Sequence, residues 1–284
     1  MTSKKPAGNN LNTGILPMWC PGCFNFQILA GIKKGIEKEI KSGKKKDDFA
    51  LVTGIGCHGK IFDYINLNGI NSIHGRVLPT CLGIKVGNPN LNVLGFSGDG
   101  DAYAEGMEHT IHAARFNADI KYFVHNNQVF ALTVGQPTPT TEIGFKDKTN
   151  PLGVKFPPIN PIRLMLAAGA TFVARVYANS EQVEYIFHEV MKHKGFAFVE
   201  ILQPCIIFHN DKGYAEKTYS LDKVKHDRTN FEMAMKRAEE FDYNTINKIP
   251  LGIFYQIKKP ILEEQYPQLA ELKKQKKSWK DIKR

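Results

Sequence analysis

Two groups of residues in this chain have the types and spacing for chemistry. The first is Gly98-Asp-Gly100 with Asn127 farther on. A magnesium ion carrying a diphosphate takes hard oxygen ligands in octahedral array. Asp99 would supply a carboxylate, Asn127 an amide oxygen and the carbonyl of Val129 a third oxygen. Gly98 and Gly100 let the backbone come close to a ligand. A helix starting there would aim its free N–H groups at phosphates. Thr133 would add a hydroxyl, and Asp101 would cap that helix, where a carboxylate favours the dipole. A Gly-Asp-Gly on its own marks many tight turns, so the elements around it decide. The second group is cysteine: Cys20, Cys23, Cys57, Cys81 and Cys205. Cys20-Pro-Gly-Cys23 suits zinc, an iron–sulfur cluster or a thiol–disulfide pair. A redox pair of the thioredoxin kind needs a preceding strand, and residues 12–19 show none. Cys57 and Cys205 would complete a four-thiolate site, and spacing alone does not separate zinc from a 4Fe–4S cluster. Cys81 reads as a small buried hydrophobe.

Both groups need elements to hold them. Ile28, Leu29, Ile32 and Ile36 recur at helical spacing, so a helix is predicted over 24–40. The apolar run 49–53 stops at Gly54-Ile-Gly56, as a buried strand does before a loop. A second such strand, 92–96, ends at Ser97-Gly-Asp-Gly-Asp101 and is followed by a predicted helix over 102–116. Strands over 119–124, 171–177 and 196–202 alternate with helices over 161–169 and 180–194, the last starting at Ser180. Residues 137–161 read as loop. Such alternation predicts an α/β fold: a mostly parallel sheet with helices on both faces. Ligands of these sheets bind beyond the C-terminal strand ends, where Cys57, Asp99, Asn127 and Cys205 all fall. Past about residue 215 the pattern loosens, leaving one helix near 230–241 and a tail rich in Lys and Glu. The expected division is a binding domain over 1–225 and a helical or irregular extension over 226–284.

Bulk properties narrow the classes. A chain of 284 residues with 42% hydrophobic and 23% charged content can bury a sizeable core. No apolar run is long enough to span a bilayer, and residues 1–12 lack the apolar stretch of a secretory signal. A cytoplasmic location is therefore expected, in which structural disulfides are rare. The net charge of +10 gathers in 33–46 and 258–284. That reads as a solvated surface or a landing place for a small acidic electron carrier. No recognition motif accompanies it, so nucleic-acid binding is not expected.

With strands and helices in place, Gly98-Asp-Gly100 and Asn127 resemble the thiamine diphosphate motif shared by transketolases, decarboxylases and oxoacid oxidoreductases. Trp19-Cys-Pro-Gly-Cys23, Gly54-Ile-Gly-Cys57 and Gln203-Pro-Cys205 resemble the cluster-binding cysteines of 2-oxoacid:ferredoxin oxidoreductases. In that family both sets lie on one subunit. Ile73-His-Gly-Arg76, Pro79, Gly83-Ile-Lys85, Leu132-Thr-Val-Gly-Gln136, Pro139-Thr-Thr141, Pro250-Leu-Gly-Ile253 and Lys259-Pro260 also match. Phe24 stands where the family usually has Gly, His58 where Ser is common, and Cys81 where a small residue is usual.

The resemblance implies a beta subunit. It would bind thiamine diphosphate, magnesium through Asp99, Asn127 and Val129, and one 4Fe–4S cluster through Cys20, Cys23, Cys57 and Cys205. Gly56, Cys57, His58, His74, Gly98, Asp99, Gly100, Asp101, Asn127, Val129, Leu132 and Thr133 would surround the cofactor. The reaction implied takes a 2-oxoacid, coenzyme A and oxidised ferredoxin to acyl-coenzyme A, carbon dioxide and reduced ferredoxin. The glutamate that activates the cofactor comes, in this family, from an alpha subunit or domain carrying the pyrimidine half. Lys60 would hold the substrate carboxylate, His74 and Arg76 would contact cofactor or carboxylate, and Leu132 is the residue of relatives that use larger or mixed 2-oxoacids. The alternatives are a non-oxidative thiamine-dependent decarboxylase or synthase subunit, which leaves the cysteines without a role, and a zinc scaffold, which leaves Asp99 and Asn127 without one.

Overall fold

The computed structural model describes residues 10–209, 213–245 and 248–282. The first nine residues of the polar start and the last two of the basic tail lie outside them. Eight strands form the central sheet. They are β1 (Phe49–Thr53), β2 (Asn68–Asn71), β3 (Asn92–Gly98), β4 (Ile120–Asn126), β5 (Phe172–Tyr177), β6 (Ala197–Leu202), β7 (Thr218–Ser220) and β8 (Ile249–Gln256). Their spatial order is β2-β1-β3-β4-β6-β5-β8-β7. All neighbours pair in parallel except β8 against β5. The longer helices are α1 (Asn25–Lys41), α2 (Val77–Gly87), α3 (Met107–Phe116), α4 (Pro161–Ala167), α5 (Ser180–Lys192), α6 (Phe231–Glu239) and α7 (Pro267–Lys274). Among the described residues no helix is long and apolar enough to cross a membrane.

Period-two alternation assigns the strand side chains to two cores. Leu51, Leu94, Phe96, Phe123, Val199 and Ile201 meet α1 and α5 on one face. Val52, Val93, Tyr122, Val124, Val173 and Phe198 meet α2, α3, α4 and α6 on the other. Both faces are covered, as a parallel sheet requires. The α1–α5 contact is close because Gly31 and Gly35 face α5. A Cβ on Gly35 would stand 2.4 Å from the Phe187 ring, and one on Gly31 2.6 Å from the Ser180 carbonyl. Phe24 precedes α1 and sets its ring edge-on against Tyr177 at 5.7 Å, so an aromatic side chain is accommodated there.

The predicted strands and helices are present, with shifted ends. The helix expected over 102–116 is broken: a π turn, Asp101–Glu105, leads through Gly106 into α3. Such turns often occur at functional sites. The cap of α5 is Asn179 rather than Ser180; its side chain accepts from the N–H groups of Glu181 at 3.0 Å and Gln182 at 3.3 Å. Strands β2, β7 and β8 and helices α2 and α7 are additions to the elements expected from the sequence. In particular, β8 takes residues of the C-terminal segment into the main sheet, with a bulge between Ile253 and Tyr255.

At the opposite edge from the site, the tail is fastened through buried charge. Lys85 Nζ donates to the carbonyls of Pro89 and Leu91, both at 3.0 Å, and lies 3.3 Å from Glu263 Oε1. Glu263, itself wholly buried, accepts from Asp119 N at 3.1 Å. Removing one member of a buried pair leaves an uncompensated charge and costs about 3–5 kcal/mol. Lys85→Met is accordingly expected to lower the thermal midpoint by on the order of 10 °C. A melting curve followed by circular dichroism checks this, and an unchanged midpoint contradicts it.

Candidate active site

Strands β1, β3, β4 and β6 are successive neighbours, so the loops after their C-terminal ends stand side by side. Between them lies a cleft lined by Gly56, Cys57, His58, His74, Gly98, Asp99, Gly100, Asp101, Asn127, Val129, Leu132 and Thr133, all twelve expected cofactor contacts. Ile55, His125, Phe130, Ala131 and Gln203 complete the lining.

Asp99 sits at the bottom, almost fully buried. Its Oδ2 accepts hydroxyls from Thr138 at 2.5 Å and Thr140 at 2.8 Å, and its Oδ1 faces Asn127 N at 3.5 Å. Burial pushes its pKa up to about 6, although these donors oppose the shift. A buried carboxylate so placed is stabilised by a cation. Asn127 Oδ1 accepts from Val129 N at 3.1 Å, which folds the chain back through Gln128. Gln128 holds a left-handed backbone, φ 61°. An amide oxygen has a second lone pair, so Asn127 can still ligate. The donor set of carboxylate, amide oxygen and carbonyl fits magnesium.

The two glycines serve packing against the cleft. A Cβ on Gly98 would lie 2.7 Å from His58 Nδ1, and one on Gly100 2.2 Å from the Phe130 ring. Asp101 does not cap the following helix. Its Oδ1 instead accepts from Gly75 N at 2.8 Å and Ile55 N at 3.4 Å, tying the loops after β1 and β2 together. Two imidazoles flank it: His74 Nδ1 is 3.2 Å from Oδ1, and His58 Nε2 is 3.8 Å from Oδ2. Burial, with His74 nearby, drives the pKa of His58 down to about 3, so its ring is neutral at physiological pH. Burial holds His125 well below the usual range too, and its Nδ1 meets Asn25 Oδ1 at 2.9 Å.

The four cysteines gather beside this cleft. Cys20 is exposed, while Cys23, Cys57 and Cys205 are half-buried. Burial pushes Cys57 up to about 11, and the charges of Cys23, Cys205 and Cys20 add to the rise, so all four thiols share one field. Burial also raises Cys23, with Asn25 opposing. Donors point at the sulfurs: Asn25 Nδ2 reaches Cys23 Sγ at 3.6 Å, Gln203 Nε2 the same sulfur at 3.9 Å, and Phe208 N reaches Cys205 Sγ at 3.4 Å. Such hydrogen bonds to sulfur are among the factors that tune iron–sulfur centres. Trp19 Nε1 donates to the Cys57 carbonyl at 2.7 Å and fastens the Cys20–Cys23 turn. Among the described residues, no three His, Cys, Asp or Glu side chains stand as a ready-made metal site, so the four thiols would have to draw in to hold a metal. Cys57 and Gln203 belong to both the cleft and the thiol cluster.

The sequence relationships agree with this arrangement. Residues 54–201 match the family described as thiamine pyrophosphate enzyme, C-terminal TPP binding domain. Residues 209–271 match the family of the C-terminal part of the pyruvate ferredoxin oxidoreductase beta chain. A 2-oxoacid:ferredoxin oxidoreductase subunit beta from Saccharolobus solfataricus is 39% identical over 254 residues, 84% of this chain and 81% of that protein. The chain belongs to the beta subunits of the 2-oxoacid:ferredoxin oxidoreductases. The 2-oxoglutarate synthase subunit KorB of Archaeoglobus fulgidus is 38% identical over 256 residues, 89% of each chain. A solved 2-oxoglutarate:ferredoxin oxidoreductase from Magnetococcus marinus, with 2-oxoglutarate, coenzyme A and succinyl-CoA bound, superposes with a TM-score of 0.85. It shares 29% identity and covers 97% of this chain and 91% of its own.

Within this beta-subunit fold, two of the sequence candidates lie outside the cleft lining. Lys60 is exposed beyond the Cys57–Lys60 turn. Arg76 Nη1 donates to His109 Nε2 at 2.8 Å and to the Glu105 carbonyl at 3.4 Å. Cys81 is fully buried under Gly95, as its reading required. His125, not among the residues expected at the site, also lines the cleft; its place just before Asn126-Asn127 at a strand end was the available signal. Thr138 and Thr140 were also missed as partners of Asp99. Thr140 stands in the matched Pro139-Thr-Thr141 segment, but no local pattern ties either threonine to Asp99, because they return to the site only through a loop.

Proposed function

We propose that this beta subunit acts with an alpha subunit to convert a 2-oxoacid, coenzyme A and two oxidised ferredoxins to acyl-coenzyme A, carbon dioxide and two reduced ferredoxins. The observation that carries this reading is the shared wall: Cys57 belongs both to the cleft that ends on Asp99 and to the four-thiol cluster. Thiamine diphosphate supplies the carbon nucleophile and electron sink when bound, and an iron–sulfur cluster supplies a one-electron acceptor. Asp99, Asn127 and the Val129 carbonyl hold the magnesium that anchors the diphosphate. Cys20, Cys23, Cys57 and Cys205 hold one 4Fe–4S cluster.

The other residues orient and shield. The neutral rings of His58 and His125 present polar atoms to the cleft without adding positive charge. Leu132 and Val134, exposed at the rim, are apolar surface for a partner to cover, which excludes water. His74 and Arg76 are the proposed contacts to cofactor or carboxylate, His74 from the cleft lining and Arg76 from outside it, and Lys60, exposed three positions after Cys57, would reach a carboxylate only from beyond that lining. Leu132 favours larger 2-oxoacids, including 2-oxoglutarate, alongside pyruvate. The activating glutamate and the pyrimidine half come from the alpha subunit. The basic surface around 33–46 and 258–284 attracts an acidic ferredoxin, a field that salt screens within about 10 Å at 0.1 M. The setting is a reducing cytoplasm.

The test is anaerobic ferredoxin reduction by the chain purified with its partner. Reduction is expected to require 2-oxoacid, coenzyme A, thiamine diphosphate and magnesium together. Chelation should abolish it and added magnesium restore it. Decarboxylation that proceeds without reducing ferredoxin would instead establish the non-oxidative reaction.

A further inference from the structure

Behind the proposed magnesium ligands lies an ion pair deep in the sheet. Arg175 on β5 and Glu200 on β6 stand opposite one another in register, and both side chains are wholly buried. Arg175 Nε donates to Glu200 Oε2 at 2.6 Å, and the guanidinium lies over the Phe241 ring at 5.0 Å. Apolar side chains of similar volume usually fill such a place with no loss of stability. The pair therefore calls for a role other than filling space, and its hydrogen bonds lead in one direction.

Glu200 Oε1 accepts from Tyr243 OH and, at 2.7 Å, from Asn126 Nδ2. With its nitrogen held there, the Asn126 amide turns its oxygen toward the site. That oxygen accepts from Gln128 N at 3.2 Å and lies 2.9 Å from Thr140 Oγ1. The first bond closes the left-handed turn at Gln128, whose neighbours Asn127 and Val129 supply two magnesium oxygens. The second reaches the third oxygen, because Thr140 Oγ1 is also 2.8 Å from Asp99 Oδ2. A hydroxyl has one proton to donate, so the Asn126 oxygen and the Asp99 carboxylate compete for it. One amide thus touches the support of all three ligands.

We infer that Asn126, oriented by the Arg175–Glu200 pair, is a positioning residue that sets the geometry of the oxygens of Asp99, Asn127 and Val129. This rests on the magnesium site proposed above. A flipped Asn126 amide would present N–H groups to Gln128 N and release both the turn and the threonine. Glu200 prevents that flip, since only the nitrogen side can donate to a carboxylate.

Manganese(II), a spectroscopic substitute for magnesium, tests this in the assembled complex with thiamine diphosphate. Asn126→Ala and the isosteric Glu200→Gln are each expected to weaken manganese binding by about 10–100-fold, as groups behind metal ligands do. The zero-field splitting of the bound ion should change in both, which loss of stability alone does not cause. Wild-type affinity and spectrum in both variants overturn the inference. If Asn126→Ala does not fold, Glu200→Gln decides. Asp99→Ala is the control for the underlying site. If manganese binds wild type and Asp99→Ala equally, the magnesium reading fails, and the inference with it; if only Asp99→Ala loses the ion, the inference alone is wrong.

Discussion

Asp99→Asn is expected to move the stability of the chain in opposite directions with and without magnesium. In the metal-free chain, Asp99 has a folded pKa of about 6 against an ordinary value of 3.8. Between those values the folded chain holds a proton that the unfolded chain has released. Folding stability is therefore greatest below about 3.8 and declines as pH rises through 6. At pH 7 the full penalty for the buried carboxylate is in force, on the order of 1–3 kcal/mol. Asparagine removes the charge while its amide oxygen can still accept from Thr138 and Thr140. The metal-free variant should melt higher than wild type at pH 7, by several degrees, with the difference shrinking toward pH 4. With thiamine diphosphate and magnesium the order reverses. Losing a ligand should weaken the ion more than the roughly 10–100-fold typical of groups behind the ligands. A ligand present at 1,000 times its dissociation constant stabilises wild type by about 4.1 kcal/mol, more than the carboxylate penalty, and the variant would lose most of that. Thermal melts at two pH values, with and without magnesium, measure all four quantities. Equal magnesium-dependent shifts in both proteins would remove Asp99 from the metal site.

The second large effect concerns Cys57→Ser. Cys57 carries a thiol raised to about 11 by burial and by the other three cysteines. Burial and the neighbouring thiols keep the Cys57 thiol protonated near neutrality in the metal-free chain. A bound iron–sulfur centre reverses that field and releases the protons, which makes its assembly more favourable as pH rises. Serine is a poor replacement, because soft thiolate sulfur is what such clusters select. The variant purified anaerobically should lose its brown colour and drop from about four iron and acid-labile sulfide per chain toward zero. Ferredoxin reduction should fall at least 100-fold, which corresponds to about 2.7 kcal/mol of barrier. The magnesium- and thiamine-dependent rise in melting temperature should persist, since Cys57 touches only the wall of that cleft. Retained sulfide with normal colour would show that Cys57 is not a ligand, and zinc in wild type without sulfide would replace the cluster by a zinc site.

Legibility from the sequence followed local pattern. Phe49–Val52 and Val93–Phe96 are short, largely apolar runs followed by glycines, and that pattern survives in the sheet within β1 and β3. Helix α2 escaped notice because Val77–Gly87 is apolar nearly all round and carries Pro79 and two glycines, so it has no amphipathic period. Strand β8 contains Pro250 and Gly252, residues that argue against a strand interior. It is tolerated because only short β7 lies beyond it, at the sheet edge. Strand β2, Asn-Gly-Ile-Asn, is exposed throughout and has no buried face to leave a pattern.

By itself the sequence determined the chemical inventory: a carboxylate and an amide behind consecutive strand ends, four cysteines and the glycines between them. Strand–helix alternation also put Cys57, Asp99, Asn127 and Cys205 on the C-terminal edge of a parallel sheet, because each follows a strand directly in the sequence. Only the tertiary structure decided which strand ends are neighbours. The order β1-β3-β4-β6 sets Cys57, Asp99, Asn127 and Gln203 around one cleft, and a different order of the same strands would have scattered them. The Arg175–Glu200–Asn126 chain and the threonine contacts to Asp99 depend on that order as well. Hydrogen bonds across a sheet join residues far apart along the chain, and no local propensity encodes which strand lies alongside.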